Sequence, residues 1–196
     1  MERSSGGAVK LFLIADVRGY TSFTEQRGDE AAGRLVSTFA SLIREIAAQH
    51  EGALVEMRGD EALVVFESVR DGLRAAVEMQ ARFADDSAFE GVGPLPVGIG
   101  LDAGEAVPVE DNYRGNALNI AARLCGLAGP GEVLASQEVC HLAGRMEGLE
   151  FRDRGAIRLK NLSDPVRVIR IAPVENDPAV RFASLRLSDH ELQASD

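Results

Sequence analysis

The stretch LFLIADVRGYTSFTE, residues 11–25, decides how the rest of the sequence is interpreted. It begins as a continuous apolar run with branched residues, which is typical of a fully buried β-strand. The run ends on an acid, Asp16, and continues into a turn that contains Gly19. An aspartate at the end of a strand either caps the next helix or holds a cation, so the residues beside it decide its role.

Length and composition describe an ordinary globular domain. The chain has 196 residues, of which 45% are hydrophobic and 27% charged, enough for one domain with a substantial core. A net charge of -10 argues against binding of nucleic acid through a basic surface. Cys125 and Cys140 have no metal-ligand spacing, and no apolar stretch reaches the length of about 18 residues that a membrane span needs. We therefore expect a cytoplasmic domain with no nucleic-acid partner and no membrane segment in this chain.

Hydrophobic patterns divide the chain into strands and helices. The first six elements follow the order strand, helix, strand, strand, helix, strand, which is the ferredoxin-like (βαββαβ) arrangement. We expect an α+β fold in which this antiparallel-sheet core has helices on one face and extra C-terminal strands. The predicted strands cover 9–16, 52–57, 61–66, 95–102, 104–109, 131–136 and 165–172, and the predicted helices cover 30–49, 68–85, 116–127 and 137–144. The expected domain spans 9–172, with tails at 1–8 and 173–196.

Two acids far apart in sequence are predicted to meet at one edge of this sheet. The first and third strands of the arrangement are antiparallel neighbours, so Asp16, which ends the first, lies beside Asp60, which precedes the third. Adjacent carboxylates are costly unless they are protonated or bridge a cation. The turn after Asp16, VRGYTS, supplies N–H groups and hydroxyls where a helix begins, which suits phosphate oxygens. Together they predict a magnesium site completed by substrate phosphates; a helix cap and a plain turn are the structural alternatives.

A second pair of polar residues lies on the predicted helix 116–127. Asn119 and Arg123 are four residues apart and share one face of that helix. An amide and a guanidinium side by side suit a sugar ring and a phosphate. A solvated surface pair is the structural alternative.

Three stretches together resemble the class III nucleotidyl cyclases, the adenylate and guanylate cyclase catalytic domain. FLIADVRGYTSFTE resembles the first metal-binding segment, GALVEMRGDEALVVF the hairpin with the second metal aspartate, and RGNALNIAARLCGLAGPGEVLAS the transition-state segment. The resemblance covers residues 9–172, in the right order. It implies a phosphorus–oxygen lyase that converts ATP or GTP to the 3′,5′-cyclic nucleotide and pyrophosphate for signal transduction.

The resemblance also implies the residues that carry the reaction. The positions that match are Asp16, Val17 and Asp60 for two Mg²⁺ or Mn²⁺ ions, Gly19, Tyr20, Thr21 and Lys160 for the triphosphate, and Asn119 and Arg123 for catalysis at the ribose and the α-phosphate. In the family, the metal residues and the transition-state residues come from opposite subunits. A chain with both sets therefore implies a head-to-tail homodimer with shared active sites.

The base-reading positions depart from the family pattern. The first base-reading position, usually lysine in adenylate cyclases and glutamate in guanylate cyclases, is Glu56 in this chain. The second base-reading position is Asn112. A carboxylate at Glu56 can accept hydrogen bonds from the N1–H and 2-amino groups of guanine, which favours GTP. Asn112 both donates and accepts, so ATP and pyrimidine nucleotides stay open. Leu162 also stands where the family often has a lysine.

Two other functions stay open from the sequence. The irregular Glu56, Asn112 and Leu162 fit a cyclase-like regulatory module that binds nucleotide without chemistry. A polymerase- or diguanylate-cyclase-like palm domain shares the paired carboxylates, but it requires a GG(D/E)EF-like hairpin and leaves NIAAR (119–123) unexplained.

Overall fold

The computed structural model describes residues 8–85, 89, 93–105, 107–109 and 112–174. The strands are β1 (Val9–Val17), β2 (Gly52–Arg58), β3 (Glu61–Phe66), β4 (Val97–Glu105), β5 (Val107–Val109), β6 (Asn112–Arg114), β7 (Val133–Ser136), β8 (Leu149–Ile157) and β9 (Val166–Pro173). The helices are α1 (Tyr20–Arg27), α2 (Asp29–Gln49), α3 (Val69–Phe83), α4 (Asn116–Leu127) and α5 (Gln137–Ala143). Of the predicted tails, residues 1–7 and 175–196 lie outside the described part. No helix of the described part is long and apolar enough to cross a membrane.

Seven strands form one sheet in the order β2-β3-β1-β4-β7-β9-β8. β1 is antiparallel to both of its neighbours, β3 and β4. β4 and β7 pair in parallel and are connected through the β5–β6 ribbon and α4. This topology confirms the ferredoxin-like core with added C-terminal strands. The sequence did not predict the short strand β6 or α1 as a helix separate from α2.

The sheet is apolar on both faces, and this explains where the helices lie. In β1, Leu11 and Leu13 point into the core covered by α2, α3 and α5, while Phe12 and Ile14 point to the opposite face. A strand with two buried faces needs cover on both sides. Helices α2, α3 and α5 share one face as expected, and α4 differs because it covers the other face with the small residues Ala117 and Ala121.

The backbone of helix α4 comes very close to the backbone of β4 at Gly100. A Cβ atom at Gly100, in the centre of β4, would lie within 3.0 Å of backbone atoms of Ala121 and Cys125. Real Cβ atoms essentially never come that close to backbone. Glycine at this position therefore fixes the height of α4 above the sheet, and with it the position of every side chain on the exposed face of the helix.

Candidate active site

Asp16 and Asp60 lie beside each other at the end of β1. Asp16 is directly opposite Glu61, the first residue of β3, and Asp60 occupies the turn just before it. The backbone N–H of Val17 donates to the carbonyl oxygen of Asp60 at an N···O distance of 3.2 Å. The strand order thus brings the two predicted acids together. It also adds a third carboxylate, that of Glu61, which the sequence analysis missed although the antiparallel register required it.

Two carboxylates of this cluster, those of Asp16 and Glu61, are held in an environment that disfavours their charge. Burial raises the pKa of Asp16, Arg18 opposes that shift, and the negative charge of Asp60 adds to it. Burial likewise raises the pKa of Glu61, and the charge of Asp16 raises it further. Such a site gains from a bound cation. Among the described residues no group of three acidic, histidine or cysteine side chains could hold an ion alone, but magnesium needs only one or two carboxylates when substrate phosphates complete its shell.

Arg18 is the internal cation of this site, and the sequence analysis did not single it out. Its guanidinium forms an ion pair with Asp16 and donates to the backbone carbonyl of Cys125 near the end of α4. A side chain at Gly98 would collide with that guanidinium, so glycine there leaves it room. The Nε atom of Arg18 is buried and has no hydrogen-bond partner among the described residues. Arg18 therefore ties the Asp16 carboxylate to α4 at the expense of one unsatisfied donor.

The start of α1 faces solvent with its backbone donors uncapped. Gly19 precedes the helix in the left-handed conformation, with a φ of 77°, which favours glycine. No side chain in the described part of the chain caps this helix, and its first turn contains no acid. Thr21 is exposed and Tyr20 is half-buried. The first N–H groups of a helix bind anions well when nothing else satisfies them, so this turn matches the predicted triphosphate position in its chemistry.

A cavity of about 480 Å³ opens between α4 and the β2–β3 hairpin, and we call it the α4 pocket. This volume is within the usual range for small-molecule sites. The residues that line it are Ile14, Glu56, Arg58, Glu61, Leu63, Tyr113, Arg114, Gly115, Leu118, Asn119 and Ala122. Two predicted site residues, Glu56 and Asn119, therefore share one pocket. Glu61 connects it with the carboxylate cluster, because it lies opposite Asp16.

Glu56 does not present a free carboxylate to the α4 pocket. Arg58, two residues along β2, donates to both of its oxygens, with contacts of 2.6 Å from Nε and 3.0 Å from a terminal nitrogen. The prediction of guanine readout assumed that these oxygens were available. The other base-reading residue, Asn112, begins β6, and its side chain lies outside the described part of the structure.

The remaining predicted residues lie on α4 and in the connection between β8 and β9. Asn119 and Arg123 are both exposed, and Arg123 has no ion pair with any other described residue. Lys160 is exposed in the connection between β8 and β9. Leu162, at the position of the family lysine, belongs to the apolar cluster that also contains Leu124 of α4. Leu162 therefore contributes to packing in this chain.

Comparison with known proteins agrees with this geometry. The adenylate and guanylate cyclase catalytic domain matches residues 7–169 of the chain, and the chain therefore belongs to that family. A solved adenylate/guanylate cyclase/hydrolase from Silicibacter pomeroyi is 29% identical, with a TM-score of 0.71 over 84% of this chain and 96% of that one.

Two curated relatives are much longer than the matched region. The serine/threonine-protein kinase pkn2 of Myxococcus xanthus is 29% identical over 175 residues, which are 88% of this chain and 21% of that protein. Putative adenylate cyclase 3 of Rhizobium meliloti is 25% identical over 162 residues, which are 82% of this chain and 28% of that protein. The chain thus spans less than a third of the length of either relative.

Proposed function

We propose that this domain is an active nucleotidyl cyclase, which converts ATP or GTP to the 3′,5′-cyclic nucleotide and pyrophosphate. The observation that carries the proposal is the convergence of Asp16 and Asp60 beside the uncapped start of α1. A carboxylate pair next to a phosphate-binding turn suits a metal-bound triphosphate. A helix cap does not account for this arrangement, because neither Asp16 nor any other described side chain caps α1.

The carboxylate cluster fits Mg²⁺ or Mn²⁺. Burial and neighbouring carboxylates raise the pKa of Asp16 and that of Glu61, and oxygen donors are the ligands these ions prefer. Asp16 and Asp60, with the backbone of Val17, would hold two ions. Bound there, the ions would supply Lewis-acid activation of the ribose 3′-hydroxyl and neutralise charge on the triphosphate.

The chain's own groups would bind the substrate and stabilise the negative charge that develops in the transition state. The backbone of Gly19, Tyr20 and Thr21 would bind the triphosphate, with Lys160 as a further contact. Asn119 would orient the ribose so that its 3′-oxygen faces the α-phosphorus. The 3′-hydroxyl would lose its proton to solvent as its oxygen bonds to the α-phosphorus; the bond from the α-phosphorus to the bridging oxygen would break, and pyrophosphate would leave. Arg123 would stabilise the charge on the α-phosphate in the transition state, which is usually the largest contribution to catalysis.

A homodimer with shared active sites explains the exposure of Asn119 and Arg123. Both side chains are exposed on α4, and Arg123 has no ion pair with the described part of its own chain. A second copy could place its carboxylate cluster against this face, and the reverse contact would form the second site. Such a mutual arrangement is the commonest symmetry of soluble oligomers.

Turnover measurements test the proposal directly. The purified chain is incubated separately with ATP, GTP, CTP and UTP in the presence of Mg²⁺ or Mn²⁺, and pyrophosphate and cyclic nucleotide are quantified. We expect a cyclic product that Asp60→Asn abolishes, while the matched control Asp29→Asn, at an exposed position on α2, retains it. Absence of product with every nucleotide would overturn the proposal in favour of a nucleotide-binding regulatory module.

Mixing two inactive variants tests the shared site. Asp60→Asn removes one half of the machinery and Arg123→Ala the other, so each variant alone is inactive. A mixed dimer contains one intact site of two, and random mixing gives about a quarter of the wild-type activity. No recovery after mixing would contradict a site built from two chains.

A further inference from the structure

A row of charged side chains crosses the sheet at the level of Asp16. Glu61 lies opposite Asp16 on one side and opposite Arg58 on the other, and directly opposite residues point to the same face of a sheet. On β4, the residue opposite Asp16 is Gly98, which has no side chain. The guanidinium of Arg18 occupies the space beside Gly98, since a Cβ atom there would collide with it. The row therefore reads positive, negative, negative, positive, and each carboxylate has a neighbouring guanidinium.

Arg18 is held firmly at its end of the row. The side chains of Arg18 and Asp16 are 24% and 26% exposed, whereas that of Arg58 is 66% exposed, so solvent screens the Arg18–Asp16 pair less. The same guanidinium donates to the carbonyl oxygen of Cys125 and lies 3.7 Å from its Sγ atom. The backbone N–H of Arg18 donates to the carbonyl oxygen of Pro96 at an N···O distance of 2.6 Å. Both the backbone and the side chain of Arg18 are thus fixed.

Arg18 and a divalent cation would compete for the same carboxylate. The guanidinium donates to Oδ2 of Asp16, and the proposed metal site needs the oxygens of that side chain. The positive charge of the guanidinium also repels another cation nearby. If Asp16 turned away, the guanidinium would keep only its contacts with Cys125 among the described residues, because its Nε atom has no partner there. The lost charge-assisted hydrogen bond corresponds to a roughly 10- to 100-fold weaker affinity for the ion.

We propose that Arg18 is a positioning residue of the proposed metal site: it holds Asp16 as a built-in counter-ion until a divalent cation replaces it, and the exchange releases α4 from Asp16. This inference rests on the proposed cyclase function and deepens it. The link to α4 matters because Cys125 lies two residues after Arg123 on that helix. Arg18 thereby couples occupancy of the metal site to the helix that carries the proposed transition-state residue.

Binding of Mn²⁺ in the absence of nucleotide measures the competition. The electron paramagnetic resonance signal of free Mn²⁺ falls as the ion binds, which gives a dissociation constant without turnover. We expect Arg18→Met to bind Mn²⁺ roughly 10- to 100-fold more tightly than wild type, and the gain should disappear when Asp16→Asn is added. Arg18→Lys keeps the positive charge and should stay close to wild type. Equal affinities of Arg18→Met and wild type would overturn the inference.

Arg152→Met is the matched control for the loss of an arginine. Arg152 forms an ion pair of the same two-residue spacing with Glu150 on β8, and both side chains are more than 40% exposed. The variant removes the same charge from the protein but leaves Asp16 and its partner in place. Its affinity for Mn²⁺ should equal that of wild type. A gain as large as that of Arg18→Met would show that net charge alone sets the affinity, and it would refute the role of Arg18.

Amide hydrogen exchange in the last turn of α4 tests the link to that helix. The carbonyl oxygen of Cys125 accepts from the backbone N–H of Ala128 at 3.0 Å as well as from Arg18. In wild type, saturating Mn²⁺ should speed exchange over residues 124–128, because Arg18 no longer ties this turn to Asp16. In Arg18→Met, exchange there should be fast with and without the ion. Exchange that does not respond to Mn²⁺ in wild type would contradict the coupling.

These measurements separate the inference from the cyclase proposal. Tighter Mn²⁺ binding by Arg18→Met supports the role of Arg18 even if no cyclic product forms with any nucleotide. Cyclic product from wild type, together with an unchanged Mn²⁺ affinity in Arg18→Met, would leave the cyclase proposal standing and overturn the role of Arg18.

Discussion

Gly100→Ala is expected to lift α4 from the sheet and reduce activity far more than stability. The new methyl group would lie within 3.0 Å of the backbone of Ala121 and Cys125, whereas ordinary contact begins at 3.4 Å. Backbone cannot rotate away as a side chain does, so the helix itself must shift. Overpacking of this kind costs about 1–3 kcal/mol of folding free energy, which lowers the melting temperature by roughly 2–4 °C for each kcal/mol in a domain of this size.

Turnover is expected to fall because α4 carries the two proposed catalytic residues. Asn119 and Arg123 move with the helix, and a displacement of about 1 Å can reduce a rate by about 100-fold. Thermal unfolding and turnover at a temperature where the variant is fully folded measure the two effects separately. Gly33→Ala, on the exposed side of α2, is the matched control, because a methyl group there meets no atom of the described residues within 4 Å. A Gly100→Ala protein with wild-type stability and turnover would refute the close packing of α4.

Two further predictions concern partly or fully buried charges. Arg18→Met leaves Asp16 without its ion pair, and we expect the metal-free protein to lose about 1.5–3 kcal/mol of folding free energy. Added Mn²⁺ should then raise its melting temperature by more than that of wild type, because the ion replaces the missing charge; equal increases would contradict this role. Burial raises the pKa of Asp102 from 3.8 to about 6, while a hydrogen bond from Ser136 opposes the shift. The neutral acid is thus favoured in the folded state, so its stabilisation is complete below pH 3.8 and is lost as the pH rises through about 6. Asp102→Asn should remove this dependence, about 2 kcal/mol in urea unfolding between pH 4 and 7, and an unaltered pH profile would show that the pKa of Asp102 is the same in the folded and unfolded states.

The fold and the meeting of Asp16 with Asp60 could be predicted because they depend on pattern and topology alone. The spacing of apolar residues along the sequence defines the strands and helices, and the ferredoxin-like order makes β1 and β3 neighbours. The face that α4 covers could not be predicted, since periodicity describes a helix without saying which side of a sheet it meets. The partners of Arg18 and Arg58 were also beyond prediction. Residues two apart on a strand share a face, but side-chain conformation decides whether they pair.

The position of α4 between β4 and β7 has a consequence for the order of folding. The helix is part of the crossover between two parallel strands, whose paired residues Ile99 and Val133 are far apart in sequence. The β2–β3 hairpin closes over a turn of two residues, Gly59 and Asp60. Local contacts form sooner than those that require long loops to close. We therefore expect refolding chains to regain the hairpin early and catalytic competence only after the crossover has closed.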